Sequence, residues 1–477
     1  MVGRNFVVIG GGPAGLTAAY VLSEKSMPTV CLEKDSQVGG LSRTVQYKGF
    51  RFDIGGHRFF TKIKEVDDLW RDVLGMDFLR RPRMSRIYYD GKFFAYPLKP
   101  FQALGQLGGV ETAAILVSYV AARMKPNAPE ESFEQWVTKR FGSRLFKIFF
   151  KTYTEKLWGI PCSELGAAWA AQRIKGLSLT SAVFSALFRR GSKGKIATLI
   201  EEFDYPRLGP GQMYEAMAAK IEGMGNKVVL DRRAVSIRRD GDRIVEIVTE
   251  SAEGKTEIYT GTDFISTMPL TELVKVMDPA VPDNVRTAAE SMSYRSIITV
   301  NLLVNREETF PDTWIYVHSP EVKIGRIQCY KNWSPYMVPD PSQSSLGLEY
   351  FATEGDELWT MPDDRLGALG VEEIDRLGLC SREDVMDSMV VRMAKAYPVY
   401  DSHYAKGFGI VQDWVSSLRN LQPCGRGGLF RYNNMDHSIL SAIYAVRTLL
   451  GESGCDVWGV NTDEEYHEED KSSSNTL

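Results

Sequence analysis

Cysteine is scarce and unpatterned in this chain. Six cysteines among 477 residues, at positions 31, 162, 329, 380, 424 and 455, show neither a CxxC pair nor metal-ligand spacing. That argues against a disulfide framework or a zinc site and for reduced thiols. Charge of one sign is equally lacking: a formal net charge of −4 leaves no basic footprint for nucleic acid. Any anionic substrate must therefore be met by a local cluster of arginines. No apolar run reads cleanly as a membrane span. The strongest, Ala103 to Ala122, contains Gln106, Glu111 and several glycines and predicts a buried or lid-forming helix instead. No leader precedes the first strand, because Met1 to Asn5 runs straight into it, and cytoplasmic residence is the expectation. There is no internal repeat.

What is present is ordinary in amount and specific in order. With 44% hydrophobic and 25% charged residues, the chain has an enzyme-like composition, and its length calls for two or three intertwined domains. Its first motif is Asn5-Phe-Val-Val-Ile-Gly-Gly-Gly-Pro-Ala-Gly15, an apolar strand set against Gly10-x-Gly12-x-x-Gly15 and followed by an Ala- and Leu-rich helix over 14–23. Gly10 permits a tight turn, Gly12 lets backbone approach a pyrophosphate, and Gly15 lets helix and strand pack closely; the helix start supplies unpaired N–H donors. Glu33 ends a second strand beginning at Thr29, where its carboxylate suits a ribose diol.

Gly39-Gly40-Leu41-Ser42-Arg43-Thr44 follows within a few residues. Paired glycines let backbone N–H groups face an anion, and Arg43 carries a charge suited to pyrophosphate. This stretch resembles the second phosphate-contacting signature of flavoproteins in the amine oxidase and glutathione reductase superfamily, which makes FAD the expected cofactor. Phe264-Ile-Ser-Thr-Met-Pro269 resembles the strand and turn by which that superfamily returns to its FAD domain. Lys227 to Val235 resembles the strand covering the adenine.

The resemblance implies an α/β protein: a Rossmann-type FAD-binding domain, interleaved with a helical domain and a second, mainly antiparallel sheet domain. Residues 1–60, 200–270 and 420–452 are expected to form the FAD domain. Segment 61–200 reads as a mostly helical substrate or lid domain, and 285–420 as a substrate-binding sheet domain, with strands over Ser296–Val304 and Gly347–Phe351. The acidic, then Ser-rich tail 463–477 is expected to be disordered.

A more specific likeness runs through most of the chain. Gly55-Gly56-His57, Arg86 to Pro97, Trp158-Gly-Ile-Pro161 with Trp169 and Arg173, Trp314-Ile-Tyr316, Arg326 with Asn332 to Tyr336, Tyr397-Pro398, and Gly425-Arg426 to Tyr432 through Asp436-His437-Ser438 resemble, in order, the motifs of the UDP-galactopyranose mutase family, closer to its eukaryotic-type branch. The family interconverts pyranose and furanose nucleotide sugars for cell-surface glycans, using N5 of reduced flavin as the nucleophile at the anomeric carbon. The resemblance assigns Arg173 and Arg326 to the departing diphosphate, for which fork-shaped guanidiniums are suited, and Tyr397 and Tyr432 to the same group. Arg426 would face flavin and sugar, Asn434 the sugar or phosphate, and Trp314 and Tyr316 the sugar pocket. His57 would lie beside the flavin N5 edge. Val235, Asp436 and Ser438 would join the glycines, Glu33, Leu41 and Arg43 around the cofactor. NADPH or NADH would be the reductant, and no second Gly-rich nucleotide motif is present for it.

Taken singly these residues have plainer readings, because arginines are usually solvated or paired and large aromatics usually fill cores. Their joint order carries the functional reading. Trp333 replaces the family's usual Tyr, the loop before Asp436 is two residues shorter, and Tyr96-Pro97-Leu98-Lys99 replaces a polar stretch near the uracil. The sugar and the base are therefore open. The alternative is an FAD oxidoreductase of the amine oxidase or protoporphyrinogen oxidase type, which shares the FAD signatures but needs no diphosphate clamp. A third, a flavin-binding protein without catalysis, would have a site closed to small molecules.

Overall fold

A computed structural model describes residues 3–124, 130–167, 201–401 and 404–461. Arg173, Trp169 and the tail 463–477 lie outside the described residues. The N-terminal strand Phe6–Ile9 is fully buried at the centre of a five-stranded parallel sheet. Its neighbours are Asp263–Ser266 on one side and Thr29–Leu32 on the other, with Leu421–Pro423 and Lys227–Val229 at the edges. Buried parallel strands read as continuous apolar runs, and Phe-Val-Val-Ile is one. The helix Pro13–Glu24 crosses from the first strand to the second and packs against Met435–Leu449. Its inner face, including Leu16, Ala18, Ala19 and Leu22, has no exposure. These elements make a Rossmann-type α/β unit.

The second large sheet has seven strands in the order Val385–Pro398, Tyr294–Val304, Ser344–Ala352, Arg326–Cys329, Trp314–Val317, Ser85–Tyr89 and Lys92–Ala95. All its pairs are antiparallel except Trp314–Val317 against Ser85–Tyr89. Strand Tyr294–Val304 is buried along its whole length because neighbouring strands cover both edges. A four-stranded sheet, Thr256–Thr260, Arg243–Glu250, Arg233–Asp240 and Met277–Asp278, is hydrogen-bonded separately and shares a core with the five-stranded one through Ile237 and Ile247 against Val7 and Leu32.

Three local expectations are corrected. Segment 78–95, inside the stretch read as mostly helical, forms strands Phe78–Pro82, Ser85–Tyr89 and Lys92–Ala95. Its aromatics serve a sheet rather than a helix face: Tyr88 and Phe93 are cross-strand partners, and Phe94 points to the other side. The segment from Lys227 to Val235 is two strands of different sheets, broken where Asp231 takes φ of 54°. The apolar stretch 103–122 is two helices, Pro100–Leu107 and Gly109–Arg123, parted at Gly108 with φ of 89°. The second is exposed along Val110, Val117 and Val120, with only Ile115 fully buried. Among the described residues no helix is long and apolar enough to cross a membrane.

Asp53 ends the strand Phe50–Asp53 with no water contact, accepting from Thr44 Oγ1 at 2.9 Å and from the Tyr205 hydroxyl. Burial pushes its carboxyl up to about 7 against those two bonds, which favour the charge. Between about pH 4 and 7 the native protein thus keeps a proton that the unfolded chain has released, so this group's contribution to stability falls as pH rises through that window. The loss is on the order of 4 kcal/mol. Asp53→Asn is expected to flatten the decline of Tm between pH 4 and 7, measured by thermal denaturation at each pH.

Candidate active site

The phosphate end is built from two glycine turns held against each other. Gly10 takes φ of 103°, and its amide donates to Leu32 O at 2.7 Å. Gly39 N donates to Gly11 O at 2.8 Å, and a Cβ built on Gly40 would stand 3.2 Å from Gly12 Cα. A Cβ on Gly10 would collide with Thr267 Oγ1 and one on Gly39 would stand 2.9 Å from Arg43 Cα, so these two positions have no room for a side chain. Gly12 caps the helix Pro13–Glu24, with no side-chain cap and no acid in the first turn, so the helix start keeps its positive end for an anion. Glu33, 5% exposed, accepts from Gly11 N at 2.6 Å and from Asp35 N at 2.9 Å. Burial raises its carboxyl above the usual range. Arg43 donates to Gly40 O at 2.9 Å and pairs with Asp35, so its charge is already balanced. Val235 sits at a bulge between Ala234 and Ser236, just beyond Arg232, whose amide bonds Glu33 O at 2.8 Å.

These residues fit the dinucleotide end of a flavin cofactor: a side-chain-free cradle, an uncapped helix start and a buried carboxylate at the end of the second strand. Beyond them opens a cavity that collects most of the remaining predicted residues. Leu41, His57, Arg326, Tyr397, Arg426, Tyr432, Asn434 and Asp436 all line it, together with Ile54, Gly55, Gly56 and Arg58. They come from the Gly40–Ser42 turn, the loop after Phe50–Asp53, two strands of the seven-stranded sheet, the short helix Gly425–Gly428 with the loop after it, and the start of helix Met435–Leu449. Ser438 lies one turn inside that helix, donating its amide to Asn434 O at 3.0 Å.

Within the cavity the rings of Tyr397 and Tyr432 stack, 5.5 Å between centroids and 21° apart. Arg426 lies over both, at 5.6 and 4.9 Å, and is anchored by Asn433 O and Ala396 O. Arg326 Nη2 donates to the Tyr397 hydroxyl at 2.9 Å. That phenol is pushed up to about 12 by burial, so it keeps its proton and can donate it onward. Although burial opposes its charge, Arg326 is held well above its usual value by Glu349 and stays protonated. His57 is pushed down to about 3, by burial first and by Arg426 next. As a neutral imidazole it donates from Nδ1 to Gly55 O at 3.2 Å, which leaves Nε2 as an acceptor.

Trp314 and Tyr316 stand at the wall rather than in the lining. Arg58, from the cavity, covers the Trp314 ring at 4.9 Å, and Arg83 covers it at 5.4 Å. Arg83 belongs to a second cleft of about 680 Å³, which also contains Arg86, Lys92, Tyr96 and Lys99. Tyr316 meets Tyr96 at 4.8 Å and Tyr153 at 5.6 Å. Tyr153, on the helix Thr152–Trp158, is partly buried and within electrostatic reach of Arg326. Sequence reasoning passed over Tyr153, Arg58, Gln328 and Glu349. The last two had a signal: Gln328 shares a strand face with Arg326 by the two-residue period, and Glu349 falls in a predicted strand.

The sequence profile described as flavin containing amine oxidoreductase matches residues 13–405, covering the helix that follows the first glycine turn, the second turn and most of the cavity wall. The chain belongs to the flavin containing amine oxidoreductase family. Its curated relatives include an L-amino-acid oxidase of Pseudechis australis, 22% identical over 331 residues, covering 64% of this chain and 58% of that protein. A probable UDP-galactopyranose mutase of Klebsiella pneumoniae is 25% identical over 178 residues, 35% of this chain and 44% of its own length. The chain thus spans less than two thirds of these curated relatives. A crystal structure of reduced UDP-galactopyranose mutase superposes with a TM-score of 0.83 at 24% identity, covering 97% of each chain. That likeness is one of fold, and it runs over nearly the whole chain.

Proposed function

We propose that this flavin-family chain is a nucleotide-sugar mutase of the UDP-galactopyranose mutase type, interconverting pyranose and furanose forms. The observation that supports it is the convergence of Arg326, Arg426, Tyr397 and Tyr432 on one cavity. Two guanidiniums and two phenols suit a diphosphate better than a neutral C–H substrate, which needs an apolar funnel. When bound and reduced, the flavin would supply the nucleophile at the anomeric carbon. Gly10, Gly12, Gly15, Gly39, Gly40 and Glu33 would hold its dinucleotide end, with Leu41, His57, Asp436 and Ser438 nearer the ring.

This chain's own residues then have definite work. Arg326 and Arg426 balance the charge that appears on the diphosphate as its bond to the sugar breaks. The Tyr397 hydroxyl, with its oxygen accepting from Arg326, gives its proton to a phosphate oxygen as a hydrogen bond. Neutral His57 adds no charge beside the ring. Trp314 and Tyr316 would bound the sugar, and Arg173 completes the clamp by resemblance. In this reading segments 1–60, 200–270 and 420–452 bind the flavin, NADPH or NADH reduces it, and the enzyme works in the cytoplasm for glycan synthesis.

The second reading, an oxidoreductase of the amine oxidase type, is favoured by the family match and by its L-amino-acid oxidase relative, since an arginine pair also suits a substrate carboxylate. The two are separated by redox dependence. Under anaerobic conditions, dithionite-reduced protein given UDP-galactopyranose or UDP-galactofuranose is expected to interconvert them, as followed by anion-exchange chromatography, and oxidised protein is expected to be inert. Failure with a panel of UDP-, dTDP- and GDP-hexoses, together with peroxide release from an amine or amino acid, would transfer the chain to the oxidase reading.

A further inference from the structure

Arg326 faces a carboxylate whose placement goes beyond the clamp itself. Arg326 and Glu349 are direct partners across the antiparallel pair Arg326–Cys329 and Ser344–Ala352. Glu349 is 1% exposed; its Oε2 accepts from Arg326 Nε at 2.7 Å and lies 2.5 Å from Nη2. Its other oxygen accepts from Gln328 Nε2 at 2.6 Å. Gln328 Oε1 is buried without a hydrogen-bond partner among the described residues. It lies against the turn before His57, 3.8 Å from where a Cβ on Gly56 would stand. Glu349 is therefore fixed from both sides, by the arginine it aims and by the glutamine that aims it.

We propose that Glu349 is a positioning residue with a second role: it sets the direction of the Arg326 guanidinium and offsets its charge, so that the clamp grips a diphosphate without retaining it. The inference rests on the mutase reading. A nucleotide-sugar mutase must hold the detached diphosphate long enough for the sugar to return to it, then let the product leave. A clamp of uncompensated arginines would slow that last step. Glu349, buried and in direct contact, weakens the attraction for a dianion while preserving the fork geometry that selects it.

The two roles separate in two variants. Glu349→Gln keeps an oxygen for Arg326, and the Gln328 amide can turn so that its free Oε1 accepts from the new NH2 group. Aim is kept and charge is lost. UDP binding, followed by titration calorimetry, is expected to tighten about 5- to 10-fold, and kcat and KM with UDP-galactofuranose are expected to fall together. Glu349→Asp keeps the charge and shortens the reach, so UDP binding should weaken several-fold with a lower kcat. If Glu349→Gln binds UDP as the parent does, or more weakly, at unchanged flavin content and Tm, the charge-offset role is wrong. Should that variant not fold, Glu349→Asp decides: weaker UDP binding supports the inference, and parental binding and kcat overturn it. A parent protein that binds none of the UDP-, dTDP- and GDP-hexoses overturns the mutase reading and this inference with it. Normal binding by the parent confines any failure to Glu349.

Discussion

Arg326→Ala is expected to slow sugar interconversion on the order of 10²- to 10³-fold, the effect of removing one preorganised donor from developing negative charge. The side chain lines the cavity and holds the Tyr397 hydroxyl at 2.9 Å, so its loss removes one charge and releases the aim of a second donor. The fall should appear in kcat and in kcat/KM alike, because the interaction strengthens only as the diphosphate departs. Steady-state rates of reduced protein under anaerobic conditions would measure it. Two controls sharpen the result. Glu349 would be left as a buried carboxylate without its cation, so the variant must be shown to fold by its flavin spectrum and Tm, since breaking a buried pair is itself destabilising by about 3–5 kcal/mol. Arg326→Lys should recover stability better than rate, because a point charge cannot reproduce the fork between Glu349 and Tyr397. Rates within a few-fold of the parent in both variants would remove Arg326 from the chemistry.

How much of this site could be read beforehand depended on whether its residues were local or long-range. The phosphate cradle was legible because Gly10, Gly12, Gly15 and Glu33 follow one strand-turn-helix-strand unit, and local geometry forces their spacing. The aromatic and arginine residues of the cavity were legible only through the order of their motifs, since they are brought together from segments hundreds of residues apart. Nothing local in the sequence pairs Arg326 with Glu349; their contact follows from strand register, which depends on the whole sheet. The strands over 78–95 were missed for a related reason. Strands Phe78–Pro82, Ser85–Tyr89 and Lys92–Ala95 are too short for their residue period to separate strand from helix, and Ser85–Tyr89 is fixed by pairing with Trp314–Val317, far along the chain. The apolar helix Gly109–Arg123 inverts the usual rule: its composition predicts burial, yet Val110, Val117 and Val120 are exposed.

Gly15→Val is expected to abolish flavin binding altogether. Even the Cβ of an alanine at position 15 would stand 1.7 Å from Gly10 O and 2.9 Å from its carbonyl carbon, inside any tolerable contact. Backbone atoms cannot move aside as the end of a flexible side chain can, so either the turn at Gly10 opens or the helix Pro13–Glu24 lifts from strand Phe6–Ile9. Neither can happen alone. Gly10 has φ of 103°, and its amide is bonded to Leu32 O, so opening the turn also breaks the strand next to Glu33. Lifting the helix exposes Leu16, Ala19 and Leu22, which have no solvent contact now. Overpacking of this kind costs typically 1–3 kcal/mol where a core can relax, and more where it cannot. The expected product is protein purified colourless, with a flavin-to-protein absorbance ratio near zero and a lowered Tm that added FAD does not restore. Gly12→Ala provides the graded comparison. Its nearest neighbour is Gly40 Cα at 3.8 Å, ordinary contact distance, so the fold has room for the methyl group. What that methyl occupies is the gap between the two glycine turns, where the pyrophosphate is expected. This variant should therefore keep the parental Tm as apoprotein and lose only flavin affinity. A Gly12→Ala protein that retained full flavin occupancy would show that the gap between the turns is not where the cofactor's phosphates lie.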